Sequence, residues 1–281
     1  MSAPGDFLAI MARASALRVA AARRRTPQPE LASRARGDVA ALPLRLDGRF
    51  DLIAELKLRS PAQGALAGRA DDVEERVLAY ARGGAAIVSV LTEPDRFDGS
   101  LEHLARASRV LTPLGVPVMR KDFLVDEYQL LEARAHGAAG VLLIVRMLEP
   151  PRLAALVSAA AAYGLFVLLE AFDAEDVAAA TALAARWQGR REALLIGINS
   201  RDLRTLKVVP ERLESLAATL PGAHPRVAES GLATPADAAR LTRAGYSVAL
   251  VGTALMSSAD PAALVRQMID AGRAAAPGAR Q

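Results

Sequence analysis

Eight short β-rich runs recur between residues 51 and 252, and each but the last leads through a turn into an Ala/Arg/Glu-rich stretch before the next begins. They are DLIAELK (51–57), AAIVSVL (85–91), VPVMR (116–120), AGVLLIV (139–145), LFVLLE (165–170), LLIGIN (194–199), RVAES (226–230) and SVALVG (247–252). Apolar residues recur at helical spacing over 71–82, 126–136, 151–162, 173–186 and 234–244. Glycines in HGAAG, AYGL and RAGYS stand where a helix should stop before the next strand. Strands alternating with helices require a parallel sheet covered on its outer face. Eight such units favour closure into a (β/α)8 barrel over an open doubly wound sheet, although strand order itself is not written in the sequence. The chain length of 281 residues suits one barrel, which typically takes about 250 residues.

The expected organisation is an N-terminal helical extension over residues 1–48 and a barrel over 49–281, forming one domain overall. Phe7, Leu8, Met11, Ala14, Leu17 and Arg18 give the extension an apolar stripe at helical spacing. RTPQPE then breaks it into one or two helices that should cap an end of the barrel. The N-terminus has no apolar signal core, and no run of about 18 uncharged apolar residues occurs, so a cytoplasmic protein without a membrane span is expected. Zero cysteines exclude disulfides, thiolate metal sites and cysteine nucleophiles. A pI near 9.8 invites a nucleic-acid partner. The net charge is only +4, however, the arginines are interleaved with acids, and aromatics make up only 4%, leaving little for base stacking. An anionic small molecule suits the same sign of charge and needs only a local patch.

Chemistry in such a barrel sits at the C-terminal ends of the strands. Those ends carry Glu55 and Lys57 on the first run, Lys121 just past the third and Glu170 on the fifth. Asn199 closes the sixth, Glu229 and Ser230 the seventh. Only three of the 35 basic residues are lysines, namely Lys57, Lys121 and Lys207. Two of the three fall on the chemical face, and Lys207 reads as surface. Arginine stays protonated at any usable pH, whereas lysine can release and regain a proton. Alternation along a strand puts Ile53, Glu55 and Lys57 on one face. A structural ion pair would show the same spacing, but a buried pair is a doubtful stability device. Gly231 after the seventh run and Gly252–Thr253 after the eighth make small-residue turns. Barrels often bind phosphate there, through backbone N–H groups and the start of a short helix.

With these residues in place, the chain resembles the indole-3-glycerol phosphate synthase family along almost its whole length. The resemblance is carried by IAELKLRSPAQG, LTEPDRFDGSLEHL, GINSRDLRTL, VAESGL and LVGTALM, in that family's order, and most specifically by PVMRKDFLVDEYQLLEARAHGAAGVLLIV. It implies a lyase that converts 1-(2-carboxyphenylamino)-1-deoxyribulose 5-phosphate into indole-3-glycerol phosphate, CO2 and water. Lys121 would then be the general acid of ring closure, Lys57 a second catalytic lysine held by Glu55, and Glu170 an acid/base. Asn199, Glu229 and Ser230 would complete the polar wall, with Ser60 and Arg201 on the substrate. Gly231, Gly252 and Thr253 would bind phosphate. Pro61, Phe97, Phe123, Leu142 and Leu203 would form the slot for the anthranilate ring, with the N-terminal residue lining it left open between Phe7 and its neighbours.

Two departures from the family pattern stand out. AFD follows Glu170 where a β-branched residue and then His or Asn are more usual, so Phe172 is expected to alter packing behind that strand. Thr253 stands where Glu or Ser is familiar, and its hydroxyl suits a phosphate cradle. The implied reaction requires no metal or redox cofactor, and none is expected. The expected partner is an anionic sugar phosphate and the expected state a monomer, with docking to another enzyme of the pathway left open. Phosphoribosylanthranilate isomerase, a barrel of the same pathway, usually works with a cysteine base, which this chain lacks. A non-catalytic phosphate-binding barrel would keep the glycine turns without needing Glu55, Lys57, Lys121 and Glu170 together.

Overall fold

Each of the eight runs forms one strand, and together they close into a parallel barrel. The computed structural model describes residues 7–36, 41–60, 64–65, 73–187, 193–202, 205 and 207–277. The strands are β1 (Asp51–Leu56), β2 (Ile87–Leu91), β3 (Val118–Lys121), β4 (Gly140–Ile144), β5 (Phe166–Ala171), β6 (Leu194–Asn199), β7 (Arg226–Glu229) and β8 (Val248–Val251). They follow chain order around the barrel, and β8 pairs back onto β1. Lys57 falls just beyond β1, and Arg59–Ser60 pairs with Gly64–Ala65 in a small hairpin above it.

The helices of the described residues are α1 (Phe7–Arg25), α2 (Gln28–Ala35), α3 (Val73–Gly83), α4 (Pro94–Phe97), α5 (Leu101–Leu111), α6 (Glu127–Ala135), α7 (Pro150–Ala162), α8 (Ala174–Ala184), α9 (Glu211–Ala217), α10 (Pro235–Arg243), α11 (Thr253–Met256) and α12 (Pro261–Ala275). The five expected helical stretches correspond to α3, α6, α7, α8 and α10. Their ends are set by local chemistry. Asp126 with Gln129, and Thr234 with Asp237, form capping boxes at the starts of α6 and α10. Gly137 and Gly245, at φ 82° and 102°, follow the same two helices and accept the left-handed turn that a side chain would resist. None of the described helices is long and apolar enough to cross a membrane.

Strands covered on both faces read as continuous apolar runs, and all of β4, from Gly140 to Ile144, is buried. Outward side chains such as Leu52, Val88, Val141 and Val167 pack under the helices with Tyr80 and Leu104. Inward side chains such as Ile53, Met119, Leu168 and Val227 form a second core inside the barrel. Gly140 leaves room there for the Phe166 ring, which an added Cβ would meet at 2.3 Å.

The N-terminal extension differs from expectation in two ways. It closes both ends of the barrel rather than one. Leu8 and Met11 of α1 join the interior core from the C-terminal side, while Leu44 and Leu46 lie beside Pro225 and Val248 at the opposite end. In addition, the buried stripe of α1 is Leu8, Met11, Ser15, Val19 and Ala22, and Leu17 is 72% exposed. Polar contacts rotate the helix to this face: the Ser15 hydroxyl donates to the Phe123 carbonyl and accepts from Gln129.

Candidate active site

Register places the ionisable side chains in a layer. Inward positions pair strand to strand as Glu55 with Ser89, Leu91 with Lys121, Ile144 with Glu170, Glu170 with Gly197 and Asn199 with Glu229. The four odd strands therefore present Glu55, Lys121, Glu170 and Glu229 at the mouth. The even strands present Leu91, Ile144, Asn199 and Gly252, in keeping with the layering of such barrels by alternate strands. Two glycines make space for carboxylates. A Cβ at Gly252 would stand 2.4 Å from Glu55 Oε1, and one at Gly197 would stand 2.3 Å from Glu229 Oε1.

Removing these charges from water is costly unless they are paired. Lys121 Nζ lies 3.1 Å from Glu170 Oε2 and 3.4 Å from Glu229 Oε2. Lys57 Nζ lies 3.0 Å from Glu55 Oε1. The Asn199 amide donates to Glu170 Oε1, and its own carbonyl oxygen accepts the Arg201 N–H. Burial alone would lower the affinity of Lys121 for its proton, but Glu170, Glu229 and Glu55 outweigh it and hold the ammonium above its ordinary value. Glu229 is pushed up to about 8, by burial first and then by the charge of Glu170, against the pull of Lys121. Two carboxylate oxygens, Glu55 Oε2 and Glu229 Oε1, are buried without a hydrogen-bond partner.

Above this layer is a cavity of about 390 Å³. Glu55, Lys57, Ser60, Lys121, Glu170 and Asn199 line it, as do Arg201, Glu229 and Ser230. Phe97 and Phe123 form one wall, with ring centroids 6.3 Å apart, and Leu142 lies at the base. Gly231, Gly252 and Thr253 are on the far side, because β7 and β8 stand across the barrel from β3 and β4. Ser230 and Gly231 both adopt positive φ, 67° and 78°, and turn the chain sharply after β7. Thr253 opens α11, whose first N–H groups have no acceptor within the helix. Pro61 and Leu203 lie outside the described residues.

The resemblance leaves the N-terminal wall residue open, and the structure places Phe7 there, edge-on to Phe123 at 5.8 Å. Val208 and Leu232 also line the cavity and were not singled out. Neither is polar or at a strand end, so no residue-type signal marked them. Phe172 shares the inward parity of Glu170 and is buried in the interior core. The Arg146 guanidinium stacks over its ring at 5.1 Å and pairs with Asp173 and Asp176.

Comparison with known proteins agrees with this arrangement. The sequence profile of one family, described as Indole-3-glycerol phosphate synthase, matches residues 9–268. The indole-3-glycerol phosphate synthase of Parafrankia sp. (strain EAN1pec) is 43% identical over 224 residues, covering 80% of this chain and 79% of the relative. Indole-3-glycerol phosphate synthase 1 of Streptomyces coelicolor is 42% identical over 238 residues, covering 85% and 83%. Among solved structures, 3-hexulose-6-phosphate synthase from Salmonella typhimurium superposes with a TM-score of 0.60 at 14% identity, over 80% of this chain and 100% of that one. That likeness speaks for the barrel fold alone. Profile and relatives together show that this chain belongs to the indole-3-glycerol phosphate synthase family, lyases of tryptophan biosynthesis.

Proposed function

We propose that the mouth of this barrel closes an indole ring, converting 1-(2-carboxyphenylamino)-1-deoxyribulose 5-phosphate into indole-3-glycerol phosphate, CO2 and water. The observation that carries the reading is Lys121 Nζ, 3.1 Å from Glu170 and 3.4 Å from Glu229, between an aromatic wall and the late-strand turns. The aryl end of the substrate lies against Phe97 and Phe123, and its phosphate against the turns after β7 and β8. This leaves the ribulose carbonyl over the charged layer.

Ring closure joins the carboxylate-bearing ring carbon to the carbonyl carbon. The carbonyl π pair moves to oxygen, which takes the proton of Lys121. The nascent alkoxide is far more basic than an amine, so an ammonium held above its ordinary value still donates to it. The bond from ring to carboxylate then breaks, CO2 leaves, and the released pair restores aromaticity. Dehydration needs one donor and one acceptor. Lys57, held by Glu55, protonates the departing hydroxyl, and Glu170, oriented by Asn199, takes a proton from the CH2 beside nitrogen. Family membership in a biosynthetic pathway favours a cytoplasmic setting. The test is to mix the purified chain with the deoxyribulose phosphate and follow indole absorbance. A flat trace over many minutes at saturating substrate rejects the reading.

A further inference from the structure

Helix α1 is tied to two loops of the mouth by Arg18, a side chain that the reaction scheme does not use. Arg18 Nη1 lies 3.1 Å from Glu93 Oε1, and Nη2 lies 2.6 Å from Asp122 Oδ1. The two carboxylates belong to different loops, after β2 and after β3, and their side chains are 0% and 1% exposed. Each carboxylate organises a loop that carries one ring of the aromatic wall. Glu93 accepts the N–H groups of Asp95 and Arg96 and so caps α4, the last residue of which is Phe97. Asp122 stands between Lys121 and Phe123 and accepts the Phe123 N–H at 2.8 Å. Its other oxygen accepts from the Thr92 hydroxyl and from Arg120. Asp122 thus has a second cation, whereas among the described residues the cation paired with Glu93 is Arg18.

We infer that Arg18 is a positioning residue for the aromatic slot: by bridging Glu93 and Asp122 it sets the relative placement of Phe97 and Phe123, which together form the wall an aryl group lies against. The same helix grips Phe123 at two more points, through the Ser15 hydroxyl on its carbonyl and the edge of Phe7 on its ring. A guanidinium fork can serve two carboxylates at once, and an ammonium on a shorter reach serves them poorly. The inference rests on the ring-closing reading for its substrate, but the geometry itself predicts only that an aryl ring is held less well once the bridge is lost.

The test compares the full chain with Arg18→Lys, Arg18→Met and Arg18→Gly. Four quantities are measured well below each melting temperature: KM and kcat for the deoxyribulose phosphate, and Kd for anthranilate and for inorganic phosphate. Expected is a rise of about three- to tenfold in KM and in the anthranilate Kd, the scale of a misplaced aromatic contact, with kcat and phosphate Kd little changed. Guanidinium ion added to Arg18→Gly should recover part of the loss. Unchanged anthranilate and substrate binding in a folded Arg18→Lys or Arg18→Met overturns the inference. So does a parallel loss of anthranilate and phosphate binding, which would mark general loosening. If Arg18→Met does not fold, Arg18→Lys decides. If the unaltered chain yields no indole product, the ring-closing reading fails, and the anthranilate and phosphate titrations still decide the role of Arg18.

Discussion

Lys121 is half-buried between two glutamates, and in the proposed scheme it is a cation that must also give up its proton. Guanidinium would keep the charge, but it spreads that charge over a larger planar group whose N–H donors do not stand where the single ammonium nitrogen stands. Its planar fork also does not match two acceptors that converge on one nitrogen. Lys121→Arg is therefore expected to keep the fold and phosphate affinity while kcat drops by about 10²–10⁴-fold, the range of a lost general acid. Lys207, exposed in the loop after β6, provides the control, and Lys207→Arg should leave both parameters unchanged. Near-normal turnover in Lys121→Arg would mean that charge alone suffices. This residue was legible in the sequence because two independent signals met on it: a rare lysine in an arginine-rich chain, and a strand-end position. Arg18 was not legible, since its partners lie 75 and 104 residues further along and the stripe that contains it was read as apolar.

At the scale of elements, the two ends of the proposed substrate are held by loops on opposite sides of the barrel, so they should fail separately. Gly231 has φ 78°, and an added Cβ would stand 2.8 Å from Val208 Cγ1. Gly231→Glu adds strain and negative charge to the turn after β7. Calorimetry should show it weakening inorganic phosphate and substrate alike, and untouched phosphate binding would mean the phosphate lies elsewhere. Phe123→Ala removes the ring shared by Phe7 and Phe97. It should raise KM by about tenfold with little effect on phosphate affinity, as expected for one lost aromatic face in an apolar slot. Equal losses for both ligands would indicate misfolding instead. The strands were readable almost to the residue because apolar runs bounded by turn residues leave little freedom of assignment. The stripe of α1 was misread because its buried face is chosen by Ser15 and Arg18, whose partners are tertiary and leave no periodic trace.

For the molecule as a whole, the charged layer links stability to pH. In the unfolded chain the Glu229 carboxyl titrates near 4.5, and in the folded chain near about 8. Between those values the folded state holds a proton that the unfolded state has lost. The stabilising contribution is therefore complete below about 4.5 and is lost as pH rises through about 8. Glu229→Gln stays neutral throughout, so its melting temperature relative to the unaltered chain should climb by at least about 3 °C between about pH 5 and pH 9. A constant difference across that range would contradict a protonated Glu229. The alternation of strands around the mouth has a consequence for how such a catalyst could be altered. In the proposed scheme the proton-handling groups come from odd strands, while Leu91, Ile144 and Gly252 at the ends of even strands line the space beside them. At the level of the strand ends, pocket shape and proposed proton transfer therefore fall on alternating positions. A library confined to Leu91 and Ile144 would explore bulkier or smaller aryl groups while every acid and base stays on its own strand.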